Sequence, residues 1–354
     1  MISLEKLPAQ IRVTERGIRK QGRHTPHNLP FAAMISALRV YMGLPQHTES
    51  IQAHNRTWIS DLDYYFHVGV STEGFGLRYD VGRDVLLANR WGGAPVRDCF
   101  AAEGIRCRLL AGEDVPSRDG ALDRSTLKEQ VAEHLAKDRP ILLLERLRQS
   151  YRIHMALGYA EHGETLYLHS GGKGVTIARD SKPTRDWETS IYAILLVDDL
   201  ETPADRRTIA LRALRRAHEM LTETSKTSGY GDALYETWIE RLLNDENYRF
   251  KSNALRFLHP EEFDLAERRC YAAEFFRQAE ATLEEGMLQA AVQAFIAIHD
   301  HMWTIHRLVT GPSLGKGLER QIREDVVDLL RRCQELDHKA AENLEAALRQ
   351  AGPS

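Results

Sequence analysis

The sequence predicts an α+β domain followed by an all-α helical bundle, and three observations carry that prediction. Upstream of about residue 200 the apolar residues come in short runs of strand length, bounded by turn residues. Downstream of Val197-Asp198-Asp199 the apolar spacing becomes helical and stays helical. The chain has 354 residues, more than one ordinary core accommodates, so the change of period marks a domain boundary. The division is 1–199 and 200–354.

Taken in order, Pro30 to Gly43 reads as the first helix. Pro30 suits a first helical position, Phe31, Met34, Ile35, Leu38 and Met42 form one apolar face, and Gly43 ends it. Asn28 is a candidate cap. Ser125 to Lys137 reads as a second helix, with Leu127, Val131 and Leu135 facing a core. Four strands follow: Pro140 to Leu147, Tyr151 to Ala160, Glu164 to Ser170 and Ser190 to Val197. His162-Gly163 supplies the turn that makes the second and third a hairpin. The helical half offers five helices, Pro203–Glu223, Asp232–Asn244, Pro260–Glu284, Leu288–Val309 and Leu318–Gln350. Glycine and proline breaks separate them, and i, i+4 charge pairs such as Glu319 with Arg323 decorate their outer faces. Amphipathic helices such as the last often pair with a second copy, so a homodimer is one expectation.

A formal charge of −4 leaves no global basic field to hold nucleic acid or an anionic membrane. No apolar run reaches the roughly 18 to 20 residues of a membrane helix. The first 24 residues have no apolar core of a secretory signal, so the cytoplasm is the expected location. The four cysteines, Cys99, Cys107, Cys270 and Cys333, contain no CxxC pair, which argues against a disulfide scaffold or a zinc ribbon. None lies in the first 98 residues.

The best candidate for chemistry is His154, near the start of the strand YRIHMALGYA. It reads either as a base facing a cleft or as a satisfied core histidine, and a base needs partners that spacing alone cannot show. Gly69 to Gly76 is a glycine-dense segment that fits neither a P-loop nor a dinucleotide fingerprint. It reads as a tight loop passing close to a neighbour, or as a pocket lining that exposes Ser71 or Glu73. Gly171 to Gly174 reads as a hairpin tip rather than a phosphate site. In the helical half His299, His301 and His306 cluster around Trp303, and Glu335 with His338 has the Glu-x-x-His spacing of di-metal bundles. Such bundles need two of these pairs, and one is present, so polar packing is the stronger reading and no metal or cofactor is expected.

Four stretches together resemble the butirosin H-type family, whose N-terminal half has a papain-like fold related to bacteriocin-processing cysteine peptidases. PFAAMISALRVYMG resembles the family's first helix. FHVGVSTEGFGL resembles its Gly-x-Ser-Gly-x-x-Phe segment, altered at Thr72 and Glu73. IHMALGYAEHGETLYLHS resembles the strand pair with the catalytic histidine. GYGDALYETWIERL, LAERRCYAAEFFRQAEATL and VVDLLRRCQELDHKAAENLEAAL resemble the C-terminal helical region. The resemblance implies a papain-like domain over 1–199, carries the base onto His154 with Ser71 as a second catalytic residue, and sets Asn28, Pro30, Tyr65, Glu73 and Ser170 around a pocket.

Two departures bear on mechanism. The family's nucleophilic cysteine falls at or beside Pro30, and its histidine-orienting Asp or Asn falls at about Ser170. Proline has no nucleophilic atom and no N–H for an oxyanion hole, so a cysteine peptidase is not expected. The resemblance then implies acyl transfer without a covalent intermediate, in natural-product assembly, from a carrier-protein thioester or a small-molecule donor to an amine. The alternatives are a catalytically inactive binding protein that keeps the papain-like cleft and, with least support, a metal-dependent oxidase in the helical half.

Overall fold

A computed structural model describes residues 29–45, 47–53, 56–76, 78–80, 85–87, 93–111, 124–146, 151–170, 182–185, 187, 191–224, 231–248, 261–283, 286–310 and 319–352. Its contacts divide the chain into two units, Met1–His67 with Arg90–Asp205, and Val68–Asn89 with Arg206–Ser354. The division at Asp205 lies close to the boundary read from the change of period. The segment Val68–Asn89 belongs with the helices rather than with the strands. Its few residues between two apolar stretches give no periodicity that would show this in advance.

The first unit is α+β. Helix α1 (Pro30–Tyr41) starts at the proline suited to its first turn. Strands β1 (Thr48–Ala53) and β2 (Arg56–Asp61) form an antiparallel pair that runs into α2 (Leu62–Val70). Helix α3 (Gly93–Ala102) precedes β5 (Ile105–Ala111), and α4 (Arg124–Ala136) precedes β6 (Ile141–Arg146). With β7 (Tyr151–Ala160), β8 (Thr165–Ser170), β9 (Lys182–Arg185) and β10 (Ile191–Leu200), these strands build a six-stranded antiparallel sheet ordered β5-β10-β6-β7-β8-β9.

Both faces of this sheet are buried, which is why its strands read as continuous apolar runs rather than alternating ones. One face holds Ile141, Leu143, Ala156, Leu166, Leu168, Ile194 and Leu196 under Val131 and Leu135 of α4 and the ring of Trp187. On the other face Leu142, Met155, Leu195 and Val197 are equally buried. Helix α1 packs against β7, and its Phe31 meets Phe100 of α3 edge-on at 6.5 Å.

The β7–β8 hairpin turns where the sequence places it. His162 has φ 53° and Gly163 φ 93°, both left-handed. Gly163 is required twice over, because a β-carbon there would also stand 2.7 Å from the carbonyl oxygen of Lys128 on α4. The indole Nε1 of Trp187 donates to the Gly163 carbonyl at 2.9 Å and fastens the turn.

The second unit contains α5 (Arg206–Leu221), α6 (Asp232–Leu243), α7 (Glu261–Glu280), α8 (Gln289–Thr310) and α9 (Arg320–Ala351). Helix α9 buries Val326, Val327, Leu330, Cys333, Asp337, Ala340, Ala341, Leu344 and Ala347, one stripe at helical spacing. It packs on α5, α6 and α8, and α8 packs on α7. The short pair β3 (Arg78–Asp80) and β4 (Val85–Leu87) belongs here too, with β3 against α6. Among the described residues no helix is long and apolar enough to cross a membrane.

Candidate functional site

His154 lies in β7 directly opposite Leu143 of β6 and Ser170 of β8. Opposed residues in an antiparallel pair share a face, so His154 lies on the side of Leu143 and Ala156, which belong to the core cluster under α4. It is 8% exposed. Pro30 is the first residue of α1, and α1 packs against the same strand, β7. First-helix start, histidine strand and Ser170 position are therefore gathered in one unit. Asn28 lies outside the described residues, as do Gly171 to Gly174. Tyr65 is buried on α2, with its ring 5.5 Å from that of Tyr64.

Ser71 and Glu73 belong to the second unit and are buried rather than exposed. Their loop is held by its own groups. The Ser71 hydroxyl accepts from the Glu73 N–H at 3.3 Å, and it lies 3.4 Å from both the Val68 carbonyl and a Glu73 carboxylate oxygen. A serine hydroxyl bonding its own backbone two residues on is a turn device. Between them Thr72 takes φ 64°, uncommon for a β-branched residue. The arginines of α7 fasten the loop from outside: Arg268 donates to the Glu73 carbonyl, and Arg269 Nη1 donates to the Gly74 carbonyl at 2.9 Å. Arg269 also grips Asp337 of α9 through Nε at 3.0 Å and Nη2 at 2.7 Å, and Tyr235 donates to the same carboxylate at 2.7 Å. The reading of a tight loop beside a close neighbour describes this segment.

Three of the thiols are raised by burial and are poor nucleophiles. Burial is the first cause that pushes the Cys107 thiol up to about 12, with Asp198 and Glu201 adding to it. Cys270 is likewise raised to about 12 by burial, and burial raises Cys333 as well. A nucleophilic cysteine needs the opposite environment, one that stabilises the thiolate.

Two histidines of the helical half, His299 and His338, are committed to neighbours. His299 Nε2 accepts from the Trp303 indole N–H at 2.9 Å, and its Nδ1 lies 3.0 Å from Asp300. Because Nε2 accepts, Nδ1 carries the hydrogen and donates to the carboxylate. His338 Nε2 lies 2.6 Å from Asp232 on α6. Among the described residues no group of three or more metal-binding side chains comes together.

A buried ionic cluster in the first unit was not singled out by the sequence reading. Arg39 of α1 pairs with Asp63 of α2 at 3.1 Å and with Glu103, just after α3. His67 Nε2 lies 2.8 Å from the other oxygen of Glu103. At the opposite end Asp63 accepts from the backbone N–H of His47 at 2.9 Å and faces its Nδ1 at 2.8 Å. The Arg39 guanidinium is completed by the Pro45 carbonyl. Arg39 lies four residues after Ile35 and eight after Phe31, on the apolar stripe of α1, and Asp63 and His67 share a helical face at i, i+4. A charge on an apolar stripe is the signal that would have found them.

Two further groups are shifted from their ordinary values in opposite environments. His134 Nε2 of α4 lies 2.7 Å from the Val197 carbonyl; a carbonyl only accepts, so Nε2 carries the hydrogen and donates. Desolvation holds its pKa below the usual histidine value. Asp198 beside it is held below the ordinary carboxylate range chiefly by the Arg108 guanidinium, which reaches it at 2.7 and 3.1 Å.

Neither a protein-family model nor a curated protein matches this sequence.

Proposed function

We propose that the protein transfers an acyl group to an amine with His154 as general base and without a cysteine nucleophile. The observation that carries this reading is the pairing of His154 with Ser170 across β7 and β8, on the strand against which the Pro30 helix packs. The resemblance to a papain-like domain that has lost its nucleophile carries the base onto His154. The φ of 64° at Thr72 supports the same resemblance, since the related segment has glycine at that place and glycine adopts such a φ without steric cost.

In this reading the acyl donor arrives already activated, as a carrier-bound or small-molecule thioester. The amine attacks the acyl carbon, His154 takes the amine proton, and the thiol leaves with that proton. An activated donor needs positioning and a base, not a covalent relay. The raised thiols of Cys107, Cys270 and Cys333 agree with this, since burial disfavours their thiolates.

Intact mass measurement tests the proposal. Purified protein is incubated with acylated carrier proteins and small thioesters together with amine acceptors. Loss of the acyl mass from the donor, with its gain by the amine, is the expected result; no transfer from any donor overturns it.

A second reading is favoured by one observation: His154 is only 8% exposed and shares a face with an apolar cluster. A binding protein that has retired the papain-like chemistry would show ligand retention in the same mass experiment without turnover.

A further inference from the structure

We infer that Asp198 changes partners with pH: at neutral pH it grips the exposed Arg108, and once His134 is protonated it turns to the imidazolium and lets Arg108 go. The inference is independent of the acyl-transfer reading. It begins with the strands. Arg108 of β5 stands opposite Leu196 of β10, and opposed residues share a face. Leu196 belongs to the core cluster with Val131 and Leu135 of α4, and Asp198 follows it by two residues, on the same side. The register of β10 with β5 is interrupted between Val197 and Leu200. Asp198 lies in that interruption, where the ladder does not dictate the direction of its carboxylate.

The partners fix the hydrogens. His134 Nε2 carries one, because the Val197 carbonyl 2.7 Å away only accepts. In the neutral ring Nδ1 is then an acceptor, and it faces Asp198 Oδ1 at 4.0 Å. Two acceptors meet there, so a proton on Nδ1 is what turns the approach into a bond. Asp198 meanwhile takes two hydrogen bonds from Arg108, Oδ2 from Nε at 2.7 Å and Oδ1 from Nη2 at 3.1 Å. The oxygen that faces His134 therefore holds the longer of the two bonds.

Burial decides which partner a proton favours. The side chains of His134 and Asp198 are buried, whereas that of Arg108 is 62% exposed. An imidazolium at His134 is a buried charge whose nearest counter-ion is Asp198, while a released Arg108 returns to water, where losing a surface pair costs little. Arg139, just before β6, has Nη1 3.9 Å from the same Asp198 oxygen but donates through Nη2 to Asp199 at 2.6 Å, as Arg106 of β5 does at 2.9 Å. Arg108 and Arg139 oppose the imidazolium and Asp198 favours it. The Cys107 thiol of β5, pushed up to about 12, stays neutral throughout. Glu133 and Lys137, beside His134 in sequence, are exposed. Burial outweighs Asp198, so the folded imidazole takes its proton below the ordinary value of about 6.5. The exchange is thus an acid event. Acid still lowers stability, because the unfolded chain binds this proton first.

The test follows two signals of the full chain, labelled with ¹⁵N-histidine, ¹⁵N-arginine and ¹³C-carbonyl valine, from pH 7.5 to pH 4.5. The His134 ring is identified by coupling through its Nε2–H hydrogen bond to the Val197 carbonyl, and the Arg108 Nε–H as the signal missing from Arg108→Lys. His134 Nδ1 should carry no hydrogen at pH 7.5 and take up its proton with a midpoint below about 6.5. The Arg108 Nε–H should shift with that same midpoint, although arginine itself does not titrate there. In Asp198→Asn the His134 midpoint should fall by about one unit, and the Arg108 shift at that midpoint should vanish. Asp198 ionises below the ordinary carboxylate range, so its own titration does not mimic the shift. An Arg108 signal that ignores the His134 midpoint overturns the inference. So does a His134 midpoint unchanged in Asp198→Asn, or a ring that stays neutral until acid unfolds the chain. If Asp198→Asn does not fold, the two midpoints of the wild-type chain still decide.

Discussion

The backbone of Gly69 lies against the ring of Phe275: a β-carbon on Gly69 would stand 2.0 Å from the ring's Cγ. Phe275 cannot withdraw cheaply, because it packs with Phe75 and Phe276, and both of those rings meet Phe295. Gly69→Ala would gain about 1 kcal/mol of helix propensity and lose about 3 kcal/mol to overpacking. The clash wins, and chemical denaturation should show a net loss of about 2 kcal/mol. Adding Phe275→Leu should return part of it, since the smaller side chain vacates the space. A Gly69→Ala variant as stable as the parent would show that the ring moves aside.

Asp337 holds the second unit's buried charge in balance. It receives two hydrogen bonds from Arg269 and one from Tyr235, and Arg269 in turn reaches the Gly74 carbonyl. Removing the carboxylate leaves a guanidinium buried without its counter-ion, which costs about 3 to 5 kcal/mol. Asp337→Ala should lower unfolding stability by that amount. Tyr235→Phe deletes a single hydrogen bond to the same carboxylate and should cost about 1 to 3 kcal/mol. Equal effects of the two variants would mean that the ion pair is not the dominant tie.

These two sites also show what was legible in the sequence. The helix from Pro30, the hairpin at His162-Gly163 and the helical half were readable because each repeats a local signal along the chain: a period, a turn residue, a cap. Helix α2 was not readable as a helix, since Tyr64-Tyr65-Phe66 is apolar on every side and glycines follow it at once. The contacts that matter most in the second unit join positions far apart in sequence, Gly69 to Phe275 and Gly74 to Arg269. No local pattern encodes such a pairing. For the candidate site, the strand and register of His154 follow from its hairpin, whereas its burial depends on α4, whose packing on the sheet no local spacing reveals. Arg39 stood as a charge on the apolar stripe of the Pro30 helix and went unread, and His67 lay on a helix the sequence did not show, so the approach of the two residues was not legible.

Acid should weaken the first unit through His134. The folded state holds this imidazole below its ordinary pKa, mainly because burial disfavours the charged form. Below about pH 6.5 the unfolded chain binds a proton here that the folded chain does not. Stability is therefore complete above that pH and declines as the pH falls. His134→Gln keeps a donor for the Val197 carbonyl and removes the titration. Denaturation at pH 7.5, 6.5 and 5.5 should give a shallower acid decline for the variant than for the parent. Identical slopes would remove His134 from the acid response.

His154→Asn separates the two readings of the site. Asparagine is close to histidine in size and still donates and accepts hydrogen bonds, so the β7 register with Leu143 and Ser170 should survive. It cannot take a proton from an attacking amine. If His154 is the base of acyl transfer, the rate should fall by about 10² to 10⁴ while the far-ultraviolet spectrum and unfolding midpoint stay close to the parent's. If the protein binds without catalysis, the loss should appear only in ligand affinity and amount to about 1 to 3 kcal/mol, the scale of one unmet buried hydrogen bond. A variant that loses stability, yet neither rate nor affinity, would identify His154 as a core residue of the sheet and remove both readings.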